Sequence, residues 1–230
     1  MSPLNSLPLN NKLLAALPKK DYEGLHRHLE EVPLVFGDIL YRPNTPITDV
    51  YFPNSGIISL LAGVNERSTL EVGFVGDNGM VGLDVFLGVN SSPNRAVVQG
   101  AGSALKMKAT NFRRKCQSND TLPRLLNRYA HNVLLQVTQY AVCNQFHTVD
   151  ARLARWLLMT SDRMGDNEFQ LTQEFMSNML GVRREGVSVA AGNLQKRKLI
   201  RYSRGRLQVL DRLGLEATAC SCYAIIKSTM

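Results

Sequence analysis

Cysteine is scarce in this chain: of 230 residues four are cysteines, and none precedes residue 116. So small and scattered a set is not typical of a disulfide framework, and it lacks the converging soft ligands of a metal site or an iron–sulfur cluster. Cys220 and Cys222 are the one close pair; we interpret them as a feature of the C-terminal tail, with a redox pair as the alternative. His26 and His28 are interpreted as surface residues of a helix. The sequence therefore predicts no metal site.

Long apolar runs are also absent. No stretch approaches the roughly 18 consecutive apolar residues that a membrane span needs. The first 20 residues lack a charged segment followed by a continuous apolar core, so they do not resemble a signal peptide. We therefore expect a cytoplasmic location and no membrane partner. The sequence also contains no nucleophile–base constellation and no phosphate-cradling glycine loop, which predicts that the protein is not an enzyme.

Basic charge is present, and it is concentrated. The whole chain has a net charge of +8, while the segment from residue 183 to residue 206 carries eight basic residues and one acidic residue, Glu185, a net charge of +7. The charges of the remaining chain nearly balance. Such a concentration predicts a surface that binds a polyanion.

Residues 171–200 have the spacing of a helix-turn-helix. Thr172 is a suitable N-cap for a first helix, and Gly181 can adopt the left-handed conformation that ends it. The apolar positions of this helix recur at steps of three and one: Met176, Met179 and Leu180. A second helix is predicted to begin near Arg183. Its buried stripe is expected at helical spacing: Val187, Ala190, Ala191 and Leu194.

The second helix would expose five outward positions: Arg184, Glu185, Ser188, Val189 and Gly192. The N-terminal end of a recognition helix is the part that reaches base edges in the major groove. Arginine can form two hydrogen bonds with guanine, and glutamate can accept one from cytosine. Arg184 and Glu185 are therefore the candidates for base readout.

A short basic hairpin follows the two helices. Leu199–Tyr202 and Arg206–Leu210 alternate in polarity around a turn at residues 203–205, which predicts a two-stranded wing. Its arginines are candidates for phosphate contacts, which give affinity without sequence selectivity. The predicted DNA-binding residues are Thr172, Gln173, Arg183, Arg184, Glu185, Ser188, Val189, Arg201, Arg204 and Arg206. The alternative is a solvated basic helical hairpin with no nucleic-acid role.

This segment resembles the winged helix of the CRP/FNR family of bacterial transcription regulators. Residue types match at these positions: Thr172, Gly181, Arg184, Glu185, Val187, Leu194, Leu199 and Ile200. Val149–Leu158 also resembles the helix that precedes the motif. Val189 stands where the best-known members have a third base-contacting arginine, so the preferred DNA site is expected to differ there. The resemblance implies RNA polymerase as a further partner, although Ser161–Asn167, at the place of the activating loop, shows no clear match.

Short β-rich runs separated by turn residues fill the chain from Val32 to about Lys108, and two short helices interrupted at Pro18 are predicted before them. Many short strands with regular turns predict an antiparallel sandwich or barrel. The predicted strands are Val35–Leu40, Val50–Phe52, Ile57–Leu61, Leu70–Val75 and Ala96–Gln99. The region resembles the β-roll that holds a cyclic nucleotide or another effector in the same family.

The resemblance also places the effector-binding residues. In nucleotide-binding members a glutamate binds the ribose hydroxyl and an arginine neutralises the cyclic phosphate; the corresponding residues here are Gly82, Leu83, Asp84, Arg95 and Ala96. Leu83 replaces the glutamate, and Ala96 replaces a hydroxyl residue. Each polar group left unpaired on a buried ribose would cost about 1–3 kcal/mol. We therefore expect no cofactor and weak cyclic-nucleotide binding or none. Arg95 either pairs with a phosphate or is an exposed strand-end arginine.

Residues 121–146 are predicted to form one long helix. A coiled-coil-like seam steps along it by fours and threes: Leu122, Leu126, Tyr129, Val133, Gln136, Tyr140 and Cys143. A second stripe is expected to pack on the β-roll: Leu125, Leu134, Val137 and Ala141. The seam predicts a dimer helix, with a core helix inside one chain as the alternative. A two-fold dimer would place two recognition helices about 34 Å apart on a palindromic site.

The sequence thus predicts an α+β fold in four segments: an N-terminal antiparallel β-roll sensor domain (1–120), a dimerisation helix (121–147), a winged helix-turn-helix (148–216) and a C-terminal tail (217–230). The predicted function is a homodimeric, sequence-specific, DNA-binding transcriptional regulator with an altered effector pocket. The alternative function is a sensor of a cyclic nucleotide or another small ligand that acts through protein partners.

Overall fold

The computed structural model describes residues 9–65, 68–118 and 120–228. The chain divides into two compact units, which draw on Met1–Leu60 with Phe74–His131 and on Leu61–Gly73 with Asn132–Met230. No helix among the described residues is both long enough and apolar enough to cross a membrane. Part of the predicted N-terminal segment, residues 1–8, lies outside the described residues.

Two short helices open the first unit, as the sequence predicts. They are α1 (Lys12–Ala15) and α2 (Lys19–His26), and Pro18 separates them as the N-cap of α2. The Asn11 side chain caps α1 by accepting a hydrogen bond from the Leu14 amide at 3.0 Å. Its amide group also donates to the carbonyl oxygens of Pro53 and Gly79, at 2.9 and 3.0 Å. Asn11 therefore ties the first helix to the strands that follow.

Seven strands of the described residues form two sheets after these helices. The strands are β1 (Glu30–Leu34), β2 (Ile39–Tyr41), β3 (Asp49–Pro53), β4 (Ile57–Asn65), β5 (Ser68–Val75), β6 (Arg95–Gly100) and β7 (Gly102–Lys108). One sheet has the order β1-β7-β3 and the other the order β2-β6-β4-β5. The pairs β1–β7, β3–β7 and β2–β6 are antiparallel. Helices α3 (Leu83–Phe86) and α4 (Ala109–Gln117) lie between and after the strands.

The core of the first unit is apolar and continuous. Phe52 of β3 meets Phe112 of α4 edge to face, with ring centroids 6.1 Å apart, and both side chains are fully buried. Leu14 of α1 and Leu126, in the long helix that begins at Thr121, belong to the same apolar cluster. In the first unit, each strand whose residues alternate in polarity therefore buries one of its faces, as the sequence pattern predicts.

One predicted strand is wrong. Val35–Leu40 was expected to be a single strand, but residues 35–38 form a turn, with the Asp38 amide donating to the Val35 carbonyl at 3.0 Å. Gly37 has a φ of +88° there, a conformation that favours glycine and breaks an extended run. Strands β1 and β7 were missed, because Glu30–Leu34 and Gly102–Lys108 lack strict alternation of apolar residues.

Helices dominate the second unit. They are α5 (Thr121–Phe146), whose N-terminal part belongs to the first unit, α6 (Val149–Met164), α7 (Gln173–Leu180), α8 (Arg184–Lys196), α9 (Arg212–Thr218) and α10 (Cys222–Lys227). Three short strands form a sheet in the order β8-β10-β9: β8 (Glu168–Gln170), β9 (Ile200–Ser203) and β10 (Arg206–Val209). The segment predicted to be a tail thus contains a helix.

The long helix α5 is present with its predicted bounds, but the stripe that was predicted to face a second copy is the one that this chain buries. Most of the predicted dimer seam is buried inside the chain: Leu122, Leu126, Gln136, Tyr140 and Cys143. Apolar side chains of the other face are exposed, among them Leu134, which is 66% exposed, and Val137. Helical periodicity finds both stripes but does not reveal which one the same chain covers.

Candidate nucleic-acid interface

Helix α7 begins and ends where its sequence predicts. The Thr172 hydroxyl accepts a hydrogen bond from the Phe175 amide at 3.0 Å, which satisfies one of the free amides of the first turn. Gly181 ends the helix with a φ of +61°. A Cβ atom at that position would lie 2.8 Å from Leu70 Cδ1 of β5, a contact that the end of the leucine side chain can relieve by shifting, so the left-handed conformation is the reason for glycine here. The predicted helix-turn-helix corner is therefore present.

Helix α8 packs through the predicted stripe. All four of its members are buried: Val187, Ala190, Ala191 and Leu194. Arg183 is its N-cap residue in extended conformation, so the helix proper starts at Arg184. Asn193 on its flank donates to Asp150 of α6 at 2.9 Å. These contacts fix both the rotation and the position of α8, and hence which residues it presents to solvent.

The opposite face of α8 presents the predicted reading edge. Arg184 and Glu185 are exposed in the first turn, Ser188 is half-buried, and Val189 is 63% exposed. The Arg184 Nε donates to Gln173 Oε1 of α7 at 3.3 Å. Gln173 therefore orients the arginine from the neighbouring helix and leaves the two Nη groups available for an acceptor. A large apolar side chain such as Val189, exposed on this edge, is suited to contact a thymine methyl group.

The wing is a sheet of three strands, one more than predicted. Strand β10 pairs with β9 through a two-residue turn at Arg204 and Gly205, whose φ angles are +50° and +78°. Two consecutive positive φ values are the mark of a type I′ hairpin turn. Strand β8 covers the other side of β10. It was not predicted because three residues, Glu168–Gln170, are too few to show a periodicity.

The basic residues of the wing differ in their surroundings. Arg201, Arg204 and Arg206 are all exposed. Arg206 forms an ion pair with Glu168 of β8, with a Nε–Oε1 distance of 3.2 Å, and Arg201 donates to Gln208 at 3.4 Å. Arg204 lies at the tip of the turn. Of the three, Arg204 is therefore placed best to extend toward an external phosphate, and Arg206 has to share its charge with a carboxylate.

Buried side chains of helix α6 stabilise the candidate nucleic-acid interface. The buried Arg152 guanidinium donates to the carbonyl oxygen of Leu180, at the end of α7. Buried Glu71 of β5 accepts hydrogen bonds from Tyr140 of α5 and Trp156 of α6, each at 3.4 Å. Burial, and then the Glu71 carboxylate, raise the pKa of Tyr140, so this hydroxyl stays protonated as a donor. This network joins β5, α5 and α6 within the second unit.

A second cluster was missed by the sequence analysis. Cys143 and His147, at the end of α5, meet Cys220 and Cys222 around the start of α10, and their four ligand atoms all lie within 4.8 Å of one another. The hydrogen bond with Cys220 lowers the pKa of Cys143, against the effect of burial. The spacings Cys-x3-His and Cys-x-Cys are a signal of paired ligands, but 77 residues separate Cys143 from Cys220.

The predicted effector residues lie on two elements of the first unit. Gly82 is the N-cap of α3 with a φ of +91°, and Leu83 and Asp84 begin this helix. Arg95 and Ala96 begin β6, where Ala96 is fully buried. Arg95 Nε is buried without a hydrogen-bond partner among the described residues, so it keeps a donor for an anion. Leu83 offers no acceptor for a ribose hydroxyl.

Comparison with known proteins agrees with this architecture. Residues 151–218 match the family of Crp-like helix-turn-helix domains. Among solved structures, a Crp/Fnr-family protein from Eubacterium rectale is 20% identical with a TM-score of 0.74, covering 90% of this chain and 97% of its own. FixK2 from Bradyrhizobium japonicum is 16% identical with a TM-score of 0.70, over 84% and 98% of the two chains. At such identities these structures establish the fold alone.

A third similar structure is that of the c-di-GMP responsive global regulator CLP of Xanthomonas campestris. It is 17% identical to this chain, has a TM-score of 0.69, and covers 84% of this chain and 99% of its own. Among curated proteins, no sequence matches this chain.

Proposed function

We propose that this chain, which has the fold of the CRP/FNR transcriptional regulators and carries a Crp-like helix-turn-helix domain, binds a palindromic DNA site as a homodimer and regulates transcription there. The proposed site of action is the cytoplasm, and RNA polymerase is the proposed protein partner of the bound dimer. The observation that supports this function most strongly is the exposed first turn of α8, with Arg184 and Glu185 beside the basic wing.

Specificity and affinity come from different parts of this surface. Arg184 and Glu185 are proposed to read base edges in the major groove, because the first turn of a recognition helix is the part that reaches them. Thr172, Gln173 and Arg183 at the helix N-termini are proposed to lie against the DNA backbone, and the wing arginines to bind phosphates. Ser188 and Val189 extend the reading edge by one helical turn.

The dimer is proposed to form through the exposed face of α5. Six apolar residues lie on one half of the circumference of this helix, and all are exposed: Leu134, Leu135, Val137, Ala141, Val142 and Phe146. Their spacing is that of a continuous stripe on one face. A contiguous apolar patch of this kind is rare on a monomer and is typical of an interface between subunits. A second copy of the same helix is the partner that a two-fold axis would supply.

The effector pocket is proposed to be altered relative to nucleotide-binding relatives. Leu83 and Ala96 replace the polar residues that would bind the ribose and the phosphate, while Arg95 retains one buried donor. Tight cyclic-nucleotide binding is therefore not expected. The network of Glu71, Tyr140 and Trp156 joins β5 to α5 and α6, and we propose that it transmits any change of β5 to the dimer helix.

Selection of bound sequences from random double-stranded DNA tests this function directly. We expect enrichment of a palindrome with half-sites one helical turn apart, about 10 base pairs from centre to centre. The same selection with cyclic AMP or cyclic GMP should yield the same sequences at similar affinity. Enrichment of a single, non-repeated half-site would contradict the dimer, and enrichment only in the presence of a nucleotide would contradict the altered pocket. No enrichment at all would contradict the proposed function.

The charge of Arg204 should contribute affinity without specificity. We expect Arg204→Asn to weaken binding to all sequences alike and to reduce the slope of log affinity against log salt by about 0.9, the value for one phosphate contact. Asparagine is chosen because it tolerates the positive φ of this turn position, where alanine would be strained. Binding is measured by fluorescence anisotropy at several salt concentrations.

Arg197→Asn is the matched control for this measurement, because Arg197 is equally exposed and follows the C-terminal end of α8. It should leave the salt slope closer to that of the unchanged protein. A slope that Arg204→Asn does not alter would exclude Arg204 from the phosphate contacts.

A further inference from the structure

Four side chains with metal-binding atoms converge in the second unit. Cys143 Sγ lies 3.5 Å from Cys220 Sγ, and Cys222 Sγ lies 3.4 Å from His147 Nδ1. All four ligand atoms fall within 4.8 Å of one another. The three cysteines are buried and His147 is half-buried, so the sulfur atoms are withdrawn from solvent while the ring remains at the surface.

These separations match one kind of metal site. A tetrahedral zinc ion has bonds of about 2.3 Å to sulfur and about 2.0 Å to nitrogen, which places its ligand atoms about 3.5–3.8 Å from one another. Two separations in the cluster are 3.4 and 3.5 Å, close to these values. An iron–sulfur cluster puts several metal atoms between its thiolates and therefore needs a wider arrangement. The compactness of the group favours a single ion.

The local structure aims the ligands at one point. Cys143 and His147 are four residues apart, so the last turn of α5 and the residue that follows it present them on one side. Cys220 and Cys222 are alternate residues around the N-terminal end of α10, separated by Ser221. Two pairs from two segments of the chain are the usual composition of a four-ligand zinc site.

The surroundings of the sulfur atoms also suit a metal thiolate. Gln139, one turn before Cys143 on α5, donates its side-chain amide to Cys222 Sγ at 3.0 Å. Hydrogen bonds of this kind orient ligands and stabilise charge on them. Arg155 of α6 is buried and interacts electrostatically with Cys143 and Cys220. A zinc ion with three thiolates and one neutral imidazole carries one net negative charge, and the guanidinium group would balance it.

We propose that Cys143, His147, Cys220 and Cys222 bind one zinc ion that fastens α10 to the end of α5. On binding, the three cysteines coordinate the ion as thiolates, each sulfur that is still protonated releases its proton to solvent, and no oxidation state changes. Four protein ligands fill the tetrahedron and leave no position for a substrate, so the role of the site is structural. This proposal does not depend on the function proposed above.

Metal analysis of the full-length protein tests the site. The protein is purified under reducing conditions without chelator, and its zinc content is measured by mass spectrometry. We expect about one zinc ion per chain, because the four ligands form one closed site. Replacement by Co²⁺ should then give the visible absorption of a tetrahedral ion together with a thiolate-to-cobalt charge-transfer band. Both readings are made on the unchanged chain, so they do not depend on how any variant folds.

Two ligand variants and one control assign the residues. Cys222→Ser and His147→Ala should each weaken Zn²⁺ binding by at least about tenfold, as measured by competition with a chromophoric chelator. Cys222→Ser should also lower the intensity of the thiolate-to-cobalt band, whereas His147→Ala should preserve it. Cys116→Ser is the matched control, because Cys116 lies on α4 outside the cluster. The Cys116→Ser protein should bind zinc as tightly as the unchanged protein.

Three results would overturn the proposal. The first is folded, reduced protein that binds neither Zn²⁺ nor Co²⁺. The second is zinc binding that Cys222→Ser and His147→Ala leave unaltered. The third is a Cys143–Cys220 disulfide as the state of the protein isolated under reducing conditions, since that bond would consume two of the four ligands.

Discussion

Replacing Leu134 with glutamate is expected to turn the proposed homodimer into a monomer. Leu134 lies at the N-terminal end of the exposed apolar face of α5 and is itself 66% exposed. Across a two-fold axis the same residue of each copy contributes to the interface, so the variant would bury two carboxylates where two leucines met. Burying a carboxylate without a partner costs several kcal/mol, which opposes association of the two copies.

Loss of the dimer should have a large effect on DNA binding. Two linked half-site contacts can exceed a single one in affinity by about 10²–10⁴. Leu134→Glu should therefore lower affinity for the palindrome by a factor in this range and have little effect on binding to an isolated half-site. Sedimentation equilibrium reports the oligomeric state, and fluorescence anisotropy with whole and half sites reports the affinity.

Leu213→Glu provides the matched control, because Leu213 of α9 is 78% exposed and lies outside this face. It introduces the same charge on the same residue type and should leave the dimer intact. A Leu134→Glu protein that still sediments as a dimer would place the interface elsewhere, and dissociation by both variants would show a general effect of charge.

Arg184→Ala is expected to reduce both affinity and specificity. A bidentate arginine–guanine contact is worth about 1–3 kcal/mol of discrimination, which corresponds to about 5–150-fold in affinity. The exposed Arg184 is oriented for such a contact by its hydrogen bond to Gln173. The loss should appear at one base pair of each half-site, where the variant should accept other bases. Selection of bound sequences and competition with substituted sites measure this.

Arg184→Lys separates charge from geometry, since lysine keeps the positive charge but cannot form the two parallel hydrogen bonds of a guanidinium group. It should restore non-specific affinity and leave the specificity relaxed. If Arg184→Ala weakened random and selected DNA equally, Arg184 would be a phosphate contact instead of a base contact. Gln173→Ala should relax specificity less than Arg184→Ala, because it removes only the hydrogen bond that orients the arginine, and it should also weaken binding to all sequences through loss of its own backbone contact.

Much of the interface follows from local sequence rules. Thr172 caps α7, Gly181 ends it in the left-handed conformation, and the stripe of α8 that begins at Val187 is buried as its spacing predicts. These features depend on residues within a few positions of one another, so they can be predicted from the sequence almost completely. The type I′ turn at Arg204 and Gly205 belongs to the same class.

Other features depend on which distant segments meet. Tyr140, in the buried stripe of α5, packs against Glu71 and Arg155. Its hydroxyl donates to Glu71, and the Arg155 guanidinium lies 4.7 Å from the centre of its ring. Neither partner is adjacent to the helix in sequence. Helical periodicity located both stripes, but it could not show which one the same chain would bury.

By itself the sequence determined the helix-turn-helix, its basic wing and the length of α5, because capping, turn formation and helical periodicity act over one or two turns of chain. Only the tertiary structure decided which face of α5 remains exposed and that Cys143 and His147 meet Cys220 and Cys222. Contacts between residues more than 70 positions apart arise from the packing of whole elements, and no local pattern encodes them. The scarcity of cysteine excluded a disulfide framework, but four ligands suffice for one metal ion once the fold brings them together.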